Sequence, residues 1–360
     1  MNYKKIIFLL LIIISAFSFS KFGIYNTRSA ELSELKDSLV YEEEVHLKNI
    51  KQLTFGGENA ECYYSFDGKK FVFQTTRNDY ECDQIFLMNT DGSDQRLVST
   101  GTGRTTCAYY MPDNTTMLYA STHLGGIDCP PKPDFSKGYV WALYESFDIF
   151  TADENGNIIS QLTTTEGYDA EATVSPVGGK IVFTSTRSGD IELYSMNLDG
   201  SEVTQLTNEP GYDGGAFYSY DGTKIIYRRT AFKNDEEIIE YKALLAEGFI
   251  RPSNLEIWVM DADGRNKIQI TDNGAANFAP YWFPDGNRIL FCSNVNDPNK
   301  RNFDIYMINL DGTGLEKITL YGEFDGFPMF SPDGKQLVFC SNRNGSAKGE
   351  TNVFVCDWSE

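Results

Sequence analysis

The sequence predicts an all-β fold, a six-bladed β-propeller of four-stranded blades closed by an N-terminal strand donated to the last blade. Three observations carry that expectation. The first is a phrase that recurs six times: a strand ending in Leu-Thr, then two strands joined by an Asp-Gly turn, a third strand with an aromatic, and a second Asp-Gly turn. The Leu-Thr position falls at Thr54, at a degenerate Val98, and at Thr163, Thr207, Thr271 and Thr319, in steps of 44, 65, 44, 64 and 48 residues. A period in the forties with several short strands per unit is that of a propeller blade. The second is that the last unit stops at Glu360 without a fourth strand, while residues 45–54 match that strand and precede the first complete blade. The third is composition: 41% hydrophobic and 14% aromatic residues suit flat sheets packed face to face.

Taken in order, residues 1–20 place Lys4 and Lys5 before the apolar run Ile6 to Ile14 and a Ser-Ala-Phe-Ser-Phe-Ser tail, which reads as a signal peptide or an N-terminal anchor. Residues 21–44 carry Leu32, Leu35 and Leu39 at helical spacing and end in Glu42, Glu43 and Glu44; they read as a spacer. Residues 45–360 are the propeller. Its first turns are Asp67-Gly68, Asp113-Asn114, Gly178-Gly179, Asp221-Gly222, Asp285-Gly286 and Asp333-Gly334. Its second turns are Asp91-Gly92, Asn155-Gly156, Asp199-Gly200, Asp263-Gly264 and Asp311-Gly312. Such dipeptides accept the positive backbone angles of tight hairpins.

Two units are longer, and both insertions, residues 123–147 and 231–254, fall between second and third strands. In an up-and-down blade they decorate one face, opposite both sets of Asp-Gly turns. The second insertion reads as a short amphipathic helix, with Asn234 as N-cap, acids in its first turn and Gly248 as its stop. The first, with Cys129-Pro130-Pro131-Lys132-Pro133, reads as irregular loop. Seven cysteines are an odd number for an exported chain, so at least one is free or paired between molecules. Cys82 and Cys129 lie in corresponding loops of adjacent blades, where a bridge is conceivable. Cys292 and Cys340 share a second-strand position and read as small buried hydrophobes.

Lys and Arg number 31 against 51 Asp and Glu, a net charge of -20. That argues against nucleic acid and anionic membranes as partners, and for cations or basic protein surfaces.

Ser331-Pro-Asp-Gly-Lys-Gln-Leu-Val-Phe-Cys-Ser-Asn-Arg and Asp304-Ile-Tyr-Met-Ile-Asn-Leu-Asp-Gly together resemble the propeller repeat of the TolB family, over roughly residues 45–358. The resemblance implies a periplasmic or secreted, envelope-associated protein that binds other proteins. TolB proteins add an α/β domain before the propeller and partner the outer-membrane lipoprotein Pal; here some two dozen residues occupy that place. Propellers host binding, scaffolding and catalysis alike, so function has to be read from a site.

First strands line the channel of a propeller, so equivalent positions form rings. One column reads Asn59, Thr105, Asp169, Asp213, Asn277 and Asp325; two residues on, a second reads Glu61, Cys107, Glu171, Gly215, Ala279 and Phe327. With a strand period of two, both are expected to face the channel and make its insertion-side mouth acidic. Asp169 and Glu171 lead as hard oxygen ligands for Ca²⁺ or Mg²⁺; Asn59, Glu61, Asp213, Asn277 and Asp325 complete a surface for a basic protein or peptide. A column after the second strand, Arg77, His123, Arg187, Ala231, Val295 and Arg343, faces one opening the third: Gln84, Asp148, Glu192, Glu256, Asp304 and Asn352. Arginine-carboxylate pairs between them are expected to tie the upper loops, with His123 as a ligand or proton carrier in the arginine position. No catalytic residue is assigned: His46 and His123 are the only histidines and no GxSxG elbow exists. The expected function is therefore non-catalytic protein or peptide binding through the insertion-bearing face. The competing class is a metal-dependent polysaccharide lyase or hydrolase at the same mouth.

Overall fold

The computed structural model describes residues 39–77 and 80–360. The signal and most of the spacer expected in residues 1–38 lie outside the described residues. The chain divides into two units, Met1–Glu42 and Glu43–Glu360, and the second holds the propeller.

Six four-stranded antiparallel sheets form the blades. Blade one is Glu58–Tyr64, Lys70–Thr76, Gln84–Asn89 and Arg96–Leu97. Blade two is Thr105–Tyr110, Thr116–Ser121, Asp148–Asp153 and Ile158–Gln161, and blade three is Asp169–Val174, Lys180–Ser185, Glu192–Asn197 and Thr204–Gln205. Blade four is Asp213–Tyr218, Lys224–Thr230, Leu255–Asp261 and Ile268–Gln269, and blade five is Asn277–Trp282, Arg288–Ser293, Asp304–Asn309 and Glu316–Lys317. Blade six takes Asp325–Phe330, Gln336–Ser341 and Asn352–Trp358 from the end of the chain and Leu47–Gln52 from its start, with Leu47 opposite Trp358 and Gln52 opposite Phe354. The ring is closed as expected, with the donated strand covering the edge of Asn352–Trp358.

The recurring threonine explains the repeat. Thr163 Oγ1 accepts the Ile149 N–H at 2.9 Å and donates to Asp148 at 3.0 Å, clasping the fourth strand to the head of the third. Thr271 does the same for Ile257 and Glu256, and Thr54 for Val353 and Asn352 across the closure. In blade one the hydroxyl is Ser99, which accepts from Ile85 and donates to Gln84. The degenerate copy thus puts Ser99, not Val98, in the threonine's place; only the hydroxyl is needed. Glycine in the second turn answers to the same phrase: Gly200 has φ +84°, and a Cβ there would stand 2.7 Å from the Leu162 carbonyl oxygen of the preceding blade.

Closure reaches further upstream than the sequence suggested. Glu44, expected in the spacer, is buried; its carboxylate accepts from both terminal nitrogens of Arg343, at 3.0 and 2.9 Å, and from the Leu320 N–H at 2.8 Å. His46 stacks on Trp358 with ring centroids 4.9 Å apart.

The two insertions meet. The second carries helix α1, Asp235–Leu245, whose N-cap Asn234 accepts the Glu237 N–H. The first is more than a loop: its strand Trp141–Ala142 pairs antiparallel with Phe249–Ile250 of the second. This ribbon crosses blade three, and Tyr241 of α1, Ile250, Tyr212, Ile191 and Leu255 form a buried cluster beneath it, flanked by Trp141 and Phe232. Cys82 and Cys129 are joined, tying the blade-one loop to the first insertion. Cys62, Cys292, Cys340 and Cys356 are free and buried; Cys107 is free and half-buried.

Candidate functional site at the propeller channel

Each first strand carries a β-bulge at one place. Glu61, Cys107, Glu171, Gly215, Ala279 and Phe327 all have φ between 48° and 58°, and pairing slips across them in every blade. A left-handed residue breaks the period of two, so the two columns do not face the same way. The second column lines the channel. The first is turned back between blades and is fully or almost fully buried.

That first column stitches the ring. The backbone N–H groups of Asn59, Thr105, Asp169, Asp213 and Asp325 donate to carbonyls of Thr351, Asp83, Phe147, Ile191 and Phe303 in the preceding blade. Asn59 Nδ2 also donates to the Thr351 carbonyl, and Asn277 Nδ2 to the Leu255 carbonyl and Glu256. Asp169 and Asp325 accept from Arg187 and Arg343 at 2.9 and 3.1 Å, while Asp213 lies 3.7 Å from Arg229. The arginines therefore pair with the first-strand acids of their own blades, not with the third-strand acids expected from the sequence. The physical reason is that the threonine or serine clasp already engages the third-strand group, and the bulge turns the first-strand acid away from the channel towards the arginine. Arg187 Nε donates to Ser185, and its guanidinium lies over Phe183 and Tyr194. Arg343 repeats this on Ser341 and Phe339, whereas Arg77 lies over Phe73 and Phe86 and donates to Gln95. His123 substitutes for an arginine in this arrangement: its Nδ1 is 2.9 Å from Ser121 Oγ and its ring packs on Phe150.

In the channel the structure brings together Glu61, Glu171, Cys107 and Arg228 around a cavity of about 40 Å³, room for little more than water. Glu171 accepts from Arg228 and Tyr212 at 2.5 Å and from Thr184 and the Gly215 N–H at 2.9 Å. Burial works to raise its carboxyl, but the Arg228 charge and these bonds outweigh it and hold Glu171 below the ordinary range. Glu61 has no direct arginine partner; burial, against a hydrogen bond to Cys107 and with the Glu171 charge adding to it, pushes it up to about 7. The Cys107 thiol is raised well above its ordinary value by burial and then by Glu61 and Glu171, so it is no thiolate nucleophile. Arg228 was missed in the sequence. It stands in a second-strand column otherwise filled by Gln74, Ala120, Thr184, Cys292 and Cys340, and being the one charged member was its signal.

Asp169 and Glu171, the expected metal pair, are turned apart by the bulge and each is engaged by an arginine. Among the described residues no three His, Cys, Asp or Glu side chains gather as a metal-holding group. Towards the turn side, Tyr63, Tyr109 and Phe217 meet with centroids 5.5–6.1 Å apart and narrow the channel.

The insertion-side mouth is apolar on two flanks. Phe278, Phe303, Phe324 and Phe327 of blades five and six contact one another at 4.8–6.0 Å. On the insertions, Leu124, Ile127, Phe135, Tyr139 and Ile239 are each more than half exposed, as is Phe55 in the loop leading into blade one. Trp141 of the ribbon lies against Tyr212 and beneath the Arg228 guanidinium at 5.7 Å, linking insertion and channel.

The TolB beta propeller domain family, PD40, matches residues 133–247. Over that stretch, about a third of its length, the chain is similar to the propeller of TolB proteins. The solved structures similar to this propeller include a putative TolB from Agrobacterium tumefaciens, 17% identical, with a TM-score of 0.56 over 86% of this chain and 97% of that one. TolB from Acinetobacter baumannii is 18% identical, with a TM-score of 0.54 over 85% of this chain and 64% of that one. At such identities the likeness is one of fold. An oligogalacturonate lyase in complex with manganese, 15% identical over 86% of this chain and 93% of that one, reaches a TM-score of 0.49, too slight a likeness to carry weight. No helix among the described residues is long and apolar enough to cross a membrane.

Proposed function

We propose that this TolB-like propeller is an exported, non-catalytic binding protein whose insertion-bearing face docks a protein or peptide with a basic surface. The observation that carries the reading is the paired insertions: two loops from different blades, zipped into one ribbon, hold five large apolar side chains in solvent on the same face as the phenylalanine cluster of the mouth. Apolar side chains gathered on one face mark a contact site more often than scattered ones do, and a net charge of -20 favours a basic rim on the partner. The Cys82–Cys129 bond suits an oxidising compartment, as the expected export signal requires.

The test is capture from the native cell envelope with the wild-type chain and with a Phe135→Ser/Tyr139→Ser variant. A protein retained by the wild type, lost with the variant at unchanged melting temperature and released by added salt supports the reading. Identical retention by both chains removes the insertion face from the binding site. Aromatic anchors of this kind carry roughly 2 kcal/mol or more at an interface, enough to see as lost capture.

A further inference from the structure

On the face opposite the insertions, the first-hairpin turns surround a cavity of about 320 Å³. Its wall is built by Phe66, Tyr109, Phe217, Tyr220, Tyr281 and Trp282, with apolar side chains and one serine between them. Tyr281 stands at the centre, 5.4 Å from Phe217 and 6.4 Å from Tyr220 between ring centroids, and Phe66 meets Tyr109 at 5.9 Å. The Trp282 indole N–H is engaged by the Phe217 carbonyl. No lining residue is charged, in a protein with 82 charged side chains.

Charge begins at the rim. Phe66, Tyr220 and Pro332 are each followed by an aspartate, Asp67, Asp221 and Asp333, and Asp113 and Asp285 hold the same turn position in blades two and five. Blade three has Val177 there, exposed to 64%. All five carboxylates accept backbone N–H groups of their own turns. Lys69, Arg288 and Lys335 pair with Asp67, Asp285 and Asp333 at 2.8, 2.6 and 3.4 Å, leaving Asp113 and Asp221 without a salt-bridge partner among the described residues.

An aromatic bowl inside an anionic rim discriminates among ligands. A neutral apolar group gains from burial but nothing from the rim. A primary ammonium is strongly hydrated and finds only phenolic oxygens to replace its water. A nitrogen bearing alkyl groups is weakly hydrated, is attracted to ring faces and is favoured by the surrounding field. We propose that this cavity binds the quaternary ammonium head of a small organic cation of the choline class. The volume is at the lower end of the ~300–1,000 Å³ usual for ligand sites, which suits a head group of that size. The site lies across the ring from the insertion face and works independently of it.

The experiment is calorimetric titration of the full chain with choline, with its neutral carbon isostere 3,3-dimethylbutan-1-ol and with phosphocholine. Saturable choline binding is expected, about tenfold or more tighter than the isostere, with phosphocholine weaker because its phosphate meets the rim. Val177→Asp should tighten choline severalfold and Val177→Lys weaken it; the position is exposed, so both variants should fold. Tyr281→Leu should abolish binding, read beside its melting curve. The Phe135→Ser/Tyr139→Ser variant should bind choline as the wild type does. No saturable binding, an isostere as tight as choline, phosphocholine tighter than choline, or affinity indifferent to the charge at Val177 would each overturn the proposal.

Discussion

Glu61 and Glu171 hold the same position in blades one and three, with the same left-handed backbone, yet one is raised and the other lowered. The difference is Arg228, which pairs directly with Glu171 and acts on Glu61 only from further off, where burial outweighs it and the Cys107 hydrogen bond. Linkage gives the consequence a sign. With a native value of about 7 against an ordinary 4.5, Glu61 keeps a proton that the unfolded chain has lost between those values. Stability therefore falls as pH rises through that window. Glu61→Gln should melt higher than the wild type at pH values above the native value, by roughly 1–3 kcal/mol in stability, and the gap should close below the ordinary one. Thermal melts across pH check this, and a constant gap would mean that Glu61 is not raised. Arg343 shows the opposite case of a buried cation: it answers two acids, Glu44 and Asp325, at once. The sequence showed which residues form the rings but not which way they face. One left-handed residue per strand leaves no mark in composition when Glu, Cys, Ala and Phe adopt it as well as Gly, although each non-glycine costs roughly 1–2 kcal/mol there.

At the scale of the element, the clasped outer strand accounts for the periodicity. Strand order, both turn sets and the donated strand could be read from Leu-Thr and Asp-Gly because a hydroxyl and a positive backbone angle are needed at fixed places. The ribbon between the insertions could not: two residues on each side, Trp141–Ala142 and Phe249–Ile250, are too few to show alternation, and their pairing is set by tertiary packing. The donated strand carries its own prediction. A chain beginning at Glu43 should stay folded and monodisperse, whereas one beginning at Phe55 loses Glu44, the closing strand and the Thr54 clasp, and exposes the edge of Asn352–Trp358. Size-exclusion with light scattering should show the shorter chain aggregated or unfolded. A monomer with unchanged melting temperature would mean the ring does not depend on this closure. Thr54→Val alone should cost about 1–3 kcal/mol by urea unfolding, since the buried Val353 N–H and Asn352 lose a partner.

Across the whole molecule, acidic excess and ring closure oppose one another. A net charge of -20 pushes the blades apart, and hydrogen bonds between successive blades hold them. Screening relieves the first without touching the second, so the melting temperature should rise from low salt to roughly 0.15 M. Calcium chloride and sodium chloride of equal ionic strength should act alike, since no metal-holding group gathers among the described residues. A distinctly larger rise with calcium would reveal a cation site and restore the metal reading of the channel.

The zipped insertions also set a rule for anyone who would re-engineer this scaffold. Strand heads of blades three and four, at Ile191, Tyr212 and Leu255, serve as their mounting plate, and neither loop finishes its own packing: Ile250 arrives from one side and Trp141 from the other. Swapping a single loop would strand its counterpart, so the transplantable module is the pair together with the sheets they straddle.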